Sequence, residues 1–214
     1  MARLTREESR ARTREQLLAS AARAFARAGY GGASVDEIAE EAGFSKGAFY
    51  SNFPSKEAIF LALLEQKKLG EIAAIRALLA EPDTDALMQG LRAWLDASHG
   101  DATLSLLAAE IELQARRSES LAVGYRALQE RLSGELVGFI SAVFARLGLR
   151  PPAPVADIAA TFIAISNGAA MASDAGTNPS GRLMLLFLDM VLKASHPIAD
   201  ERPTVTPLTP AGGR

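Results

Sequence analysis

Three hydrogen-bonding side chains of different chemistry lie close together in the stretch GFSKGAFYSNF. They are the ammonium of Lys46, the phenol of Tyr50 and the amide of Asn52, and each can donate to a phosphate oxygen or a base edge. Gly47 and Ala48 lie between them and are small enough to let a backbone approach another molecule. The stretch therefore suits a surface that meets a polyanion such as DNA.

Flanking residues predict that this stretch is a short helix. Ser45 is a favourable first residue, because its hydroxyl can accept from the amide groups at the start of a helix, and Pro54 prevents the helix from continuing. Phe49 and Phe53 are four residues apart and so share one helical face, which we expect to pack on a core. The polar side chains then fall on or beside the exposed side.

A second short helix is predicted immediately upstream. Ser34 and Glu37 have the spacing of a capping box, in which each side chain satisfies a free amide group at the start of the helix. Gly43 ends this helix, so residues 34–53 read as a helix-turn-helix, whose second helix enters the major groove. A glycine-linked helix pair with a polar face also occurs in proteins that bind no nucleic acid, so the pattern alone leaves both interpretations open.

Longer helices flank this unit. The segment Thr13–Ala28 carries Leu17, Leu18, Ala21, Ala22 and Phe25 at helical spacing, and Gly29 ends it. Ser55 is placed to begin a long helix from Lys56 toward Leu79. The charge is uneven, with nine Lys/Arg against seven Asp/Glu in residues 1–56 and fourteen against eighteen in the remainder. A basic front end on an acidic body indicates that the front end alone meets a polyanion.

The stretch TREQLLASAARAFARAGYGGASVDEIAEEAGFSKGAFYSNFPSKEAIF closely resembles the DNA-binding domain of the tetracycline-repressor (TetR) family of bacterial regulators. The resemblance covers residues 10–60 and includes Ala-Ala-x-x-Phe, Ile-Ala-x-x-Ala-Gly, Lys-Gly-x-x-Tyr and Phe-x-Ser-Lys-Glu at the family's spacing. It implies a homodimer whose two helix-turn-helix units bind a palindromic double-stranded DNA operator. It also implies a helical body that binds a small effector and releases the DNA.

Roles in DNA binding follow from this resemblance position by position. Lys46, Tyr50 and Lys56 correspond to backbone anchors, and Ser34 to a hydroxyl that binds phosphate. Ser45, Gly47 and Ala48 correspond to the base-proximal start of the recognition helix. Asn52 departs from the family pattern, which more often has a ring there, so its phosphate role is open. Arg12 and Arg14 would either reach the minor groove or lie in a frayed tail.

The body, where the resemblance fades, is predicted to be helical throughout. Helices are expected to begin at Pro82 and to cover 103–117, 118–147, 154–173 and 180–195. The segment after residue 196 is expected to be a disordered tail. Leu106 and Leu113 lie opposite the other apolar residues of 103–117, which predicts a helix sandwiched between layers. The whole chain is then all-α, about nine helices, with a DNA-binding domain over 1–56, a sensing and dimerisation domain over 57–196 and a tail over 197–214.

The last two long helices are the predicted dimer interface. The first carries small residues every four positions, which permits close helix crossing, and the second is apolar on nearly every side. The resemblance assigns a four-helix dimer interface to this pair, although alanine richness can also be merely compositional. The predicted interface residues are Ala160, Ala164, Gly168, Leu183, Phe187 and Met190.

The helices from 82 to 147 have the composition of an apolar pocket with a few polar groups. The effector is therefore predicted to be a largely apolar small molecule. Each polar candidate could equally be a solvated edge residue or a locally paired buried one. The predicted pocket residues are Trp94, His99, Glu110, Gln114, Tyr125, Phe139 and Asn167.

Other classes of protein find little support in the sequence. The chain has 214 residues, no cysteine and two histidines, and its longest apolar run, LMLLFLDMVL, is too short to span a bilayer. No phosphate-binding loop, nucleophile motif or paired metal-ligand motif is present, so we expect no catalytic residues, cofactor or metal. A cytoplasmic DNA-binding regulator is the favoured interpretation. A constitutive architectural DNA-binding protein and a helical protein–protein adaptor remain the alternatives.

Overall fold

The computed structural model describes residues 5–97, 102–171 and 179–198. Within these ranges the chain is built from nine α-helices and a two-stranded antiparallel sheet, which confirms the predicted all-α class. The helices are α1 (Arg6–Gly32), α2 (Val35–Glu41), α3 (Lys46–Asn52), α4 (Lys56–Ala77), α5 (Thr84–Ala97), α6 (Ala102–Ala115), α7 (Glu119–Leu147), α8 (Val155–Met171) and α9 (Ser180–Ala194). The strands are β1 (Leu149–Arg150) and β2 (His196–Pro197).

The first helix begins earlier than the sequence predicted. Thr5 and Glu8 form a reciprocal capping box: the Thr5 amide donates to Glu8 Oε2 at 2.7 Å and the Glu8 amide donates to Thr5 Oγ1 at 3.2 Å. Residues 6–12 are therefore helical, and the frayed-tail interpretation of the arm is wrong for them. At the other end of α1 the predicted stop is present as a kink. Gly29 leaves helical geometry with φ 70°, and the last residues of α1, up to Gly32, follow after this kink.

One hydrophobic core joins the amino-terminal helices to the body. Phe25, Phe49, Phe53 and Phe60 are almost completely buried in it, and the rings of Phe25 and Phe60 meet edge to face with centroids 4.9 Å apart. Leu107 and Ile111 of α6 and the first half of α7 also contribute. The helix-turn-helix is thus packed on the body through continuous apolar contact.

A second core holds the rest of the body together. It consists of the carboxyl-terminal half of α4 with α5, α7, α8 and α9, and its buried residues include Ile75, Leu95, Phe139 and Met184. α4 belongs to both cores, because Ile59 and Leu64 lie in the first and Ile75 in the second. This helix is the direct connection between the two parts of the molecule.

The prediction that α6 is sandwiched between layers is wrong. Leu107 and Ile111 are buried, but Leu106 and Leu113 are 55% and 58% exposed. The side of α6 opposite the core has no apolar layer of the same chain over it among the described residues. Apolar residues on two faces of a helix do not by themselves require two packed faces.

The short sheet ties the end of α9 to the start of the α7–α8 connection. Leu149 pairs with Pro197 and Arg150 with His196, and the Ile198 amide donates to the Gly148 carbonyl. In the described parts of the chain, no helix is both long and apolar enough to cross a membrane. His99 and residues 199–214 of the predicted tail lie outside the described residues.

Candidate nucleic-acid interface

Serine caps and one glycine shape the helix-turn-helix. Ser34 accepts from the Glu37 amide at 3.1 Å and Ser45 accepts from the Ala48 amide at 3.2 Å, so each helix begins where the sequence predicted. Between them Gly43 has φ 78°, a left-handed conformation that glycine adopts without steric cost. α2 and α3 are thereby held at a sharp turn.

α3 has an apolar inner face and a polar outer face. Phe49 and Phe53 are almost completely buried, as predicted, whereas Tyr50 is 49% exposed and Lys46 is exposed. Ser45, Gly47 and Ser51 are also exposed, and Ala48 is partly so. The outer face therefore presents small residues beside a hydroxyl and an ammonium group, the arrangement expected of a recognition helix.

Lys46 is paired with an acidic residue of the neighbouring helix. Its Nζ lies 2.8 Å from Asp36 Oδ1, and this hydrogen bond raises the pKa of the lysine. Both side chains are more than half exposed, so the pair contributes little to stability and is readily broken. Lys46 can therefore leave Asp36 and pair with a phosphate at a small cost in free energy.

Lys56 and Asn52 have their polar groups directed into the protein. The Lys56 ammonium donates to the carbonyl oxygens of Tyr30 and Ala33 at 2.9 and 3.0 Å and lies 4.5 Å from the Tyr30 ring centroid. The Asn52 amide donates to the Ala48 carbonyl at 2.9 Å, while its Oδ1 is buried without a hydrogen-bond partner. The geometry gives these two side chains structural contacts in addition to the DNA roles predicted for them.

Two arginines of α1 cover the carboxyl end of α3. Arg10 donates to the Ser51 carbonyl at 3.3 Å, and Arg14 donates to the Asn52 carbonyl at 3.1 Å while its guanidinium lies 4.1 Å above the Phe53 ring centroid. The last carbonyls of a helix lack partners within the helix and carry partial negative charge, so cations stabilise them. The sequence analysis missed this role; the excess of arginine over acidic residues before residue 15 was its signal.

A second arginine cluster fastens α2 to α1. Arg27 lies 2.9 Å from Glu37 and 2.7 Å from Glu41, and Arg23 lies 2.5 Å from Glu41. Arg27 and then Arg23 lower the pKa of the Glu41 carboxyl to about 2. Nearby, the buried Ser20 hydroxyl donates to the Ile38 carbonyl at 2.8 Å. These contacts hold the helix preceding the recognition helix at a fixed position on α1.

A cavity of about 200 Å³ lies in the body. Four predicted pocket residues line it: Trp94, Tyr125, Phe139 and Asn167. The sequence analysis missed the wall formed by α4, whose lining residues follow helical spacing and are Leu64, Lys68, Glu71, Ile72 and Ile75. The helical spacing of these α4 residues was the sequence signal from which this wall could have been predicted. α4 therefore connects the helix-turn-helix directly to the cavity wall.

Placing Glu110 and Gln114 in the cavity was wrong. Neither residue lines it; α6 packs on α1, α7 and α8, and its buried Leu107 and Ile111 belong to the core shared with the amino-terminal helices. Glu110 accepts hydrogen bonds from backbone amides of Tyr30 and Gly31, at the end of α1. His99, the remaining predicted residue, lies outside the described residues.

The cavity is apolar except for a few groups. The Gln129 amide donates to the Tyr125 hydroxyl at 2.6 Å, which leaves the phenolic hydrogen available to a ligand, and burial raises the pKa of Tyr125. Lys68 and Glu71 form a partly exposed ion pair at 2.9 Å. The site can therefore accommodate an apolar molecule that carries one or two hydrogen-bonding groups.

An apolar groove runs between α8 and α9 on the surface of the body. Five of the six predicted interface residues line it: Ala164, Gly168, Leu183, Phe187 and Met190. The sixth, Ala160, is exposed on the same helix. Leu186 and Met190 are 58% and 60% exposed, which is unusual for large apolar side chains placed next to one another.

Comparisons with known proteins agree with this geometry. Residues 17–63 match the family model described as bacterial regulatory proteins, tetR family. A solved TetR-family transcriptional regulator from Mesorhizobium loti has the same fold, with a TM-score of 0.66 at 23% identity, covering 90% of this chain and 99% of that one. The chain thus carries the amino-terminal domain of the TetR family.

Curated relatives match only part of the chain. The transcriptional activator FasR of Mycolicibacterium smegmatis is 38% identical over 44% of this chain and 41% of its own length. The transcriptional repressor AcnR of Corynebacterium diphtheriae is 37% identical over 33% of this chain and 42% of its own length. The chain thus spans less than half the length of these curated relatives.

Replacing Arg14 tests whether α1 holds the recognition helix. We expect Arg14→Ala to lower the free energy of unfolding by about 1 kcal/mol, because one hydrogen bond and one cation–π contact are lost. Amide hydrogen exchange should rise in α3. Arg12→Ala, at an exposed position of the same helix, is the control and should leave both quantities nearly unchanged. Equal unfolding curves and exchange rates for the two variants would contradict the assignment.

Proposed function

We propose that this protein is a DNA-binding transcriptional regulator of the cytoplasm. The observation that carries the proposal is the outer face of α3, where Lys46 and Tyr50 are exposed beside Gly47 while Phe49 and Phe53 anchor the helix from behind. Small residues allow the helix to enter the major groove, and the two polar side chains reach the phosphates on its edges. Ser34 and Ser45 are exposed at the starts of α2 and α3, where their hydroxyl groups can also donate to phosphates.

The two lysines have different proposed roles. Lys46 is exposed and opposed only by the weak pair with Asp36, so it is the direct phosphate contact. Lys56 donates to two backbone carbonyls, and its main contribution is to hold the end of α1 against α4, with phosphate contact secondary. Asn52, whose amide is used inside α3, likewise supports the helix.

The regulator acts as a homodimer on a palindromic operator. The groove between α8 and α9 exposes Leu186 and Met190, and a second copy of the same groove would cover them by two-fold symmetry. A dimer places two recognition helices at a fixed separation, so the operator half-sites lie about one helical turn, or a multiple of it, apart.

The body responds to a small, largely apolar effector. Because residues of α4 line the cavity, a ligand that displaces this wall moves the same helix that packs against the helix-turn-helix. A hundredfold loss of DNA affinity would require about 2.7 kcal/mol of coupling between the two sites. We propose repression relieved by ligand as the mode of action. A constitutive architectural DNA-binding protein is the competing function, and it predicts that no small molecule changes DNA affinity.

Binding to DNA is tested with Lys46 and its acidic partner. Lys46→Ala should weaken binding to any duplex and lower the slope of log affinity against log salt by about one unit for each lost phosphate contact. Asp36→Asn should strengthen binding, because it removes the competing carboxylate. Fluorescence anisotropy across a salt series measures both. Lys67→Ala, at an exposed position in the middle of α4, is the control and should leave the affinity and the salt slope unchanged. A wild-type protein that binds no duplex at low salt would refute the proposal.

Dimerisation is tested with an exposed residue of the groove. Met190→Glu should convert the protein to monomers, because burying an unpaired carboxylate in an apolar interface costs several kcal/mol. Met190 is 60% exposed in the single chain, so the fold should survive the change. Val123→Glu, at a 61% exposed position on α7, is the control and should remain dimeric in sedimentation velocity. A Met190→Glu variant that sediments like the wild-type dimer would place the interface elsewhere.

Ligand binding is tested through Trp94, the one tryptophan of the sequence, which lines the cavity. Titration with the neutral apolar dye N-phenylnaphthylamine should give saturable energy transfer from this indole. Ser166→Phe should weaken dye binding about tenfold, because the added ring would take up space in the cavity that the dye needs. Ser141→Phe, at an exposed position on α7, should have no effect. Equal dye affinity in the two variants would show that the dye binds elsewhere.

A further inference from the structure

The turn at the end of α1 holds a carboxylate that comes from the body. The Tyr30 amide donates to Glu110 Oε2 at 2.9 Å, and the Gly31 amide donates to Glu110 Oε1 at 3.0 Å. Successive backbone amides that converge in this way form an anion-binding concavity. Both oxygens of one α6 side chain are therefore bound by the backbone of the DNA-binding domain.

Gly29 makes this contact possible in two ways. Its φ of 70° directs the following amides toward α6, and a side chain at this position would be strained. A Cβ there would also lie 3.2 Å from Glu110 Oε2. The residue that ends α1 is thus also the one that admits the carboxylate.

The same turn is fastened to α4. The Tyr30 hydroxyl donates to Glu57 Oε1 at 2.8 Å, and Lys56 donates to the carbonyl oxygens of Tyr30 and Ala33. The Tyr30 ring meets the Phe60 ring edge to face at 5.2 Å. α1, α4 and α6 are therefore all in contact at this turn.

We propose that Glu110 is a positioning residue that sets the angle of the DNA-binding domain on the body, and thereby the half-site spacing that the dimer accepts. The inference rests on the proposed function. Leu107 and Ile111 of α6 lie in the same hydrophobic core as the buried residues of α1, and such apolar contacts resist separation but define orientation weakly. Two charge-assisted hydrogen bonds to backbone amides are directional and fix that orientation.

Selection of duplexes from a random library by the full-length protein tests this inference. The variant is Glu110→Gln, which keeps the shape but loses the charge and one of the two acceptor oxygens. The control is Glu112→Gln, the same change on the same helix, where the carboxylate pairs with Arg116 within α6 at 3.0 Å. Binding is carried out at a temperature at which circular dichroism shows every protein to be folded.

Wild type and Glu112→Gln should enrich one half-site sequence at one spacing. Glu110→Gln should enrich the same half-site, while its preference for that spacing over one base pair more or less falls about tenfold or more, the order expected for one lost charge-assisted hydrogen bond. An unchanged spacing preference would overturn the inference even if overall affinity fell. A Glu110→Gln protein that is unfolded wherever the wild type binds would overturn it as well, because Glu110 would then be needed for folding. Enrichment of no sequence by the wild type would instead refute the proposed function, and the inference with it.

Discussion

The shared position of α4 is the constraint on which the rest of the structure depends. Its first turns pack Ile59 and Phe60 against the helix-turn-helix, and its later turns place Ile72 and Ile75 on the wall of the body cavity. A helix transmits displacement along its axis because its backbone hydrogen bonds resist bending. The wall of the cavity therefore includes the same helix that packs in the core of the amino-terminal helices.

Charged side chains fix the recognition helix where apolar packing would leave its orientation loose. Arg10 and Arg14 bind the carbonyls at the end of α3, and Arg23 and Arg27 bind the carboxylates of α2. Most of the basic residues of the amino-terminal region thus have partners inside the protein. In the proposed function, the face left for DNA has few long side chains, chiefly Lys46 and Tyr50, beside the small Gly47.

The local devices of the helix-turn-helix were predictable residue by residue. Ser34, Ser45 and Ser55 begin helices because a serine hydroxyl satisfies nearby amides, and Gly29 and Gly43 interrupt them because glycine tolerates positive φ. The groove residues of α8 and α9 were likewise visible as apolar stripes. The cavity was predicted only in part, since Glu110 and Gln114 were assigned to it although they lie elsewhere.

The sequence by itself determined the all-α class, the caps and stops of the amino-terminal helices and the polar face of α3, because each depends on residues within a few positions of one another. Only the tertiary structure decided which partner each long side chain meets. Glu110 and Tyr30 are 80 positions apart, and Arg14 and Asn52 are 38 apart, so neither contact could be read from local periodicity. Nor could the open side of α6, because an apolar residue on a helix shows that it can be buried, not that another element will cover it.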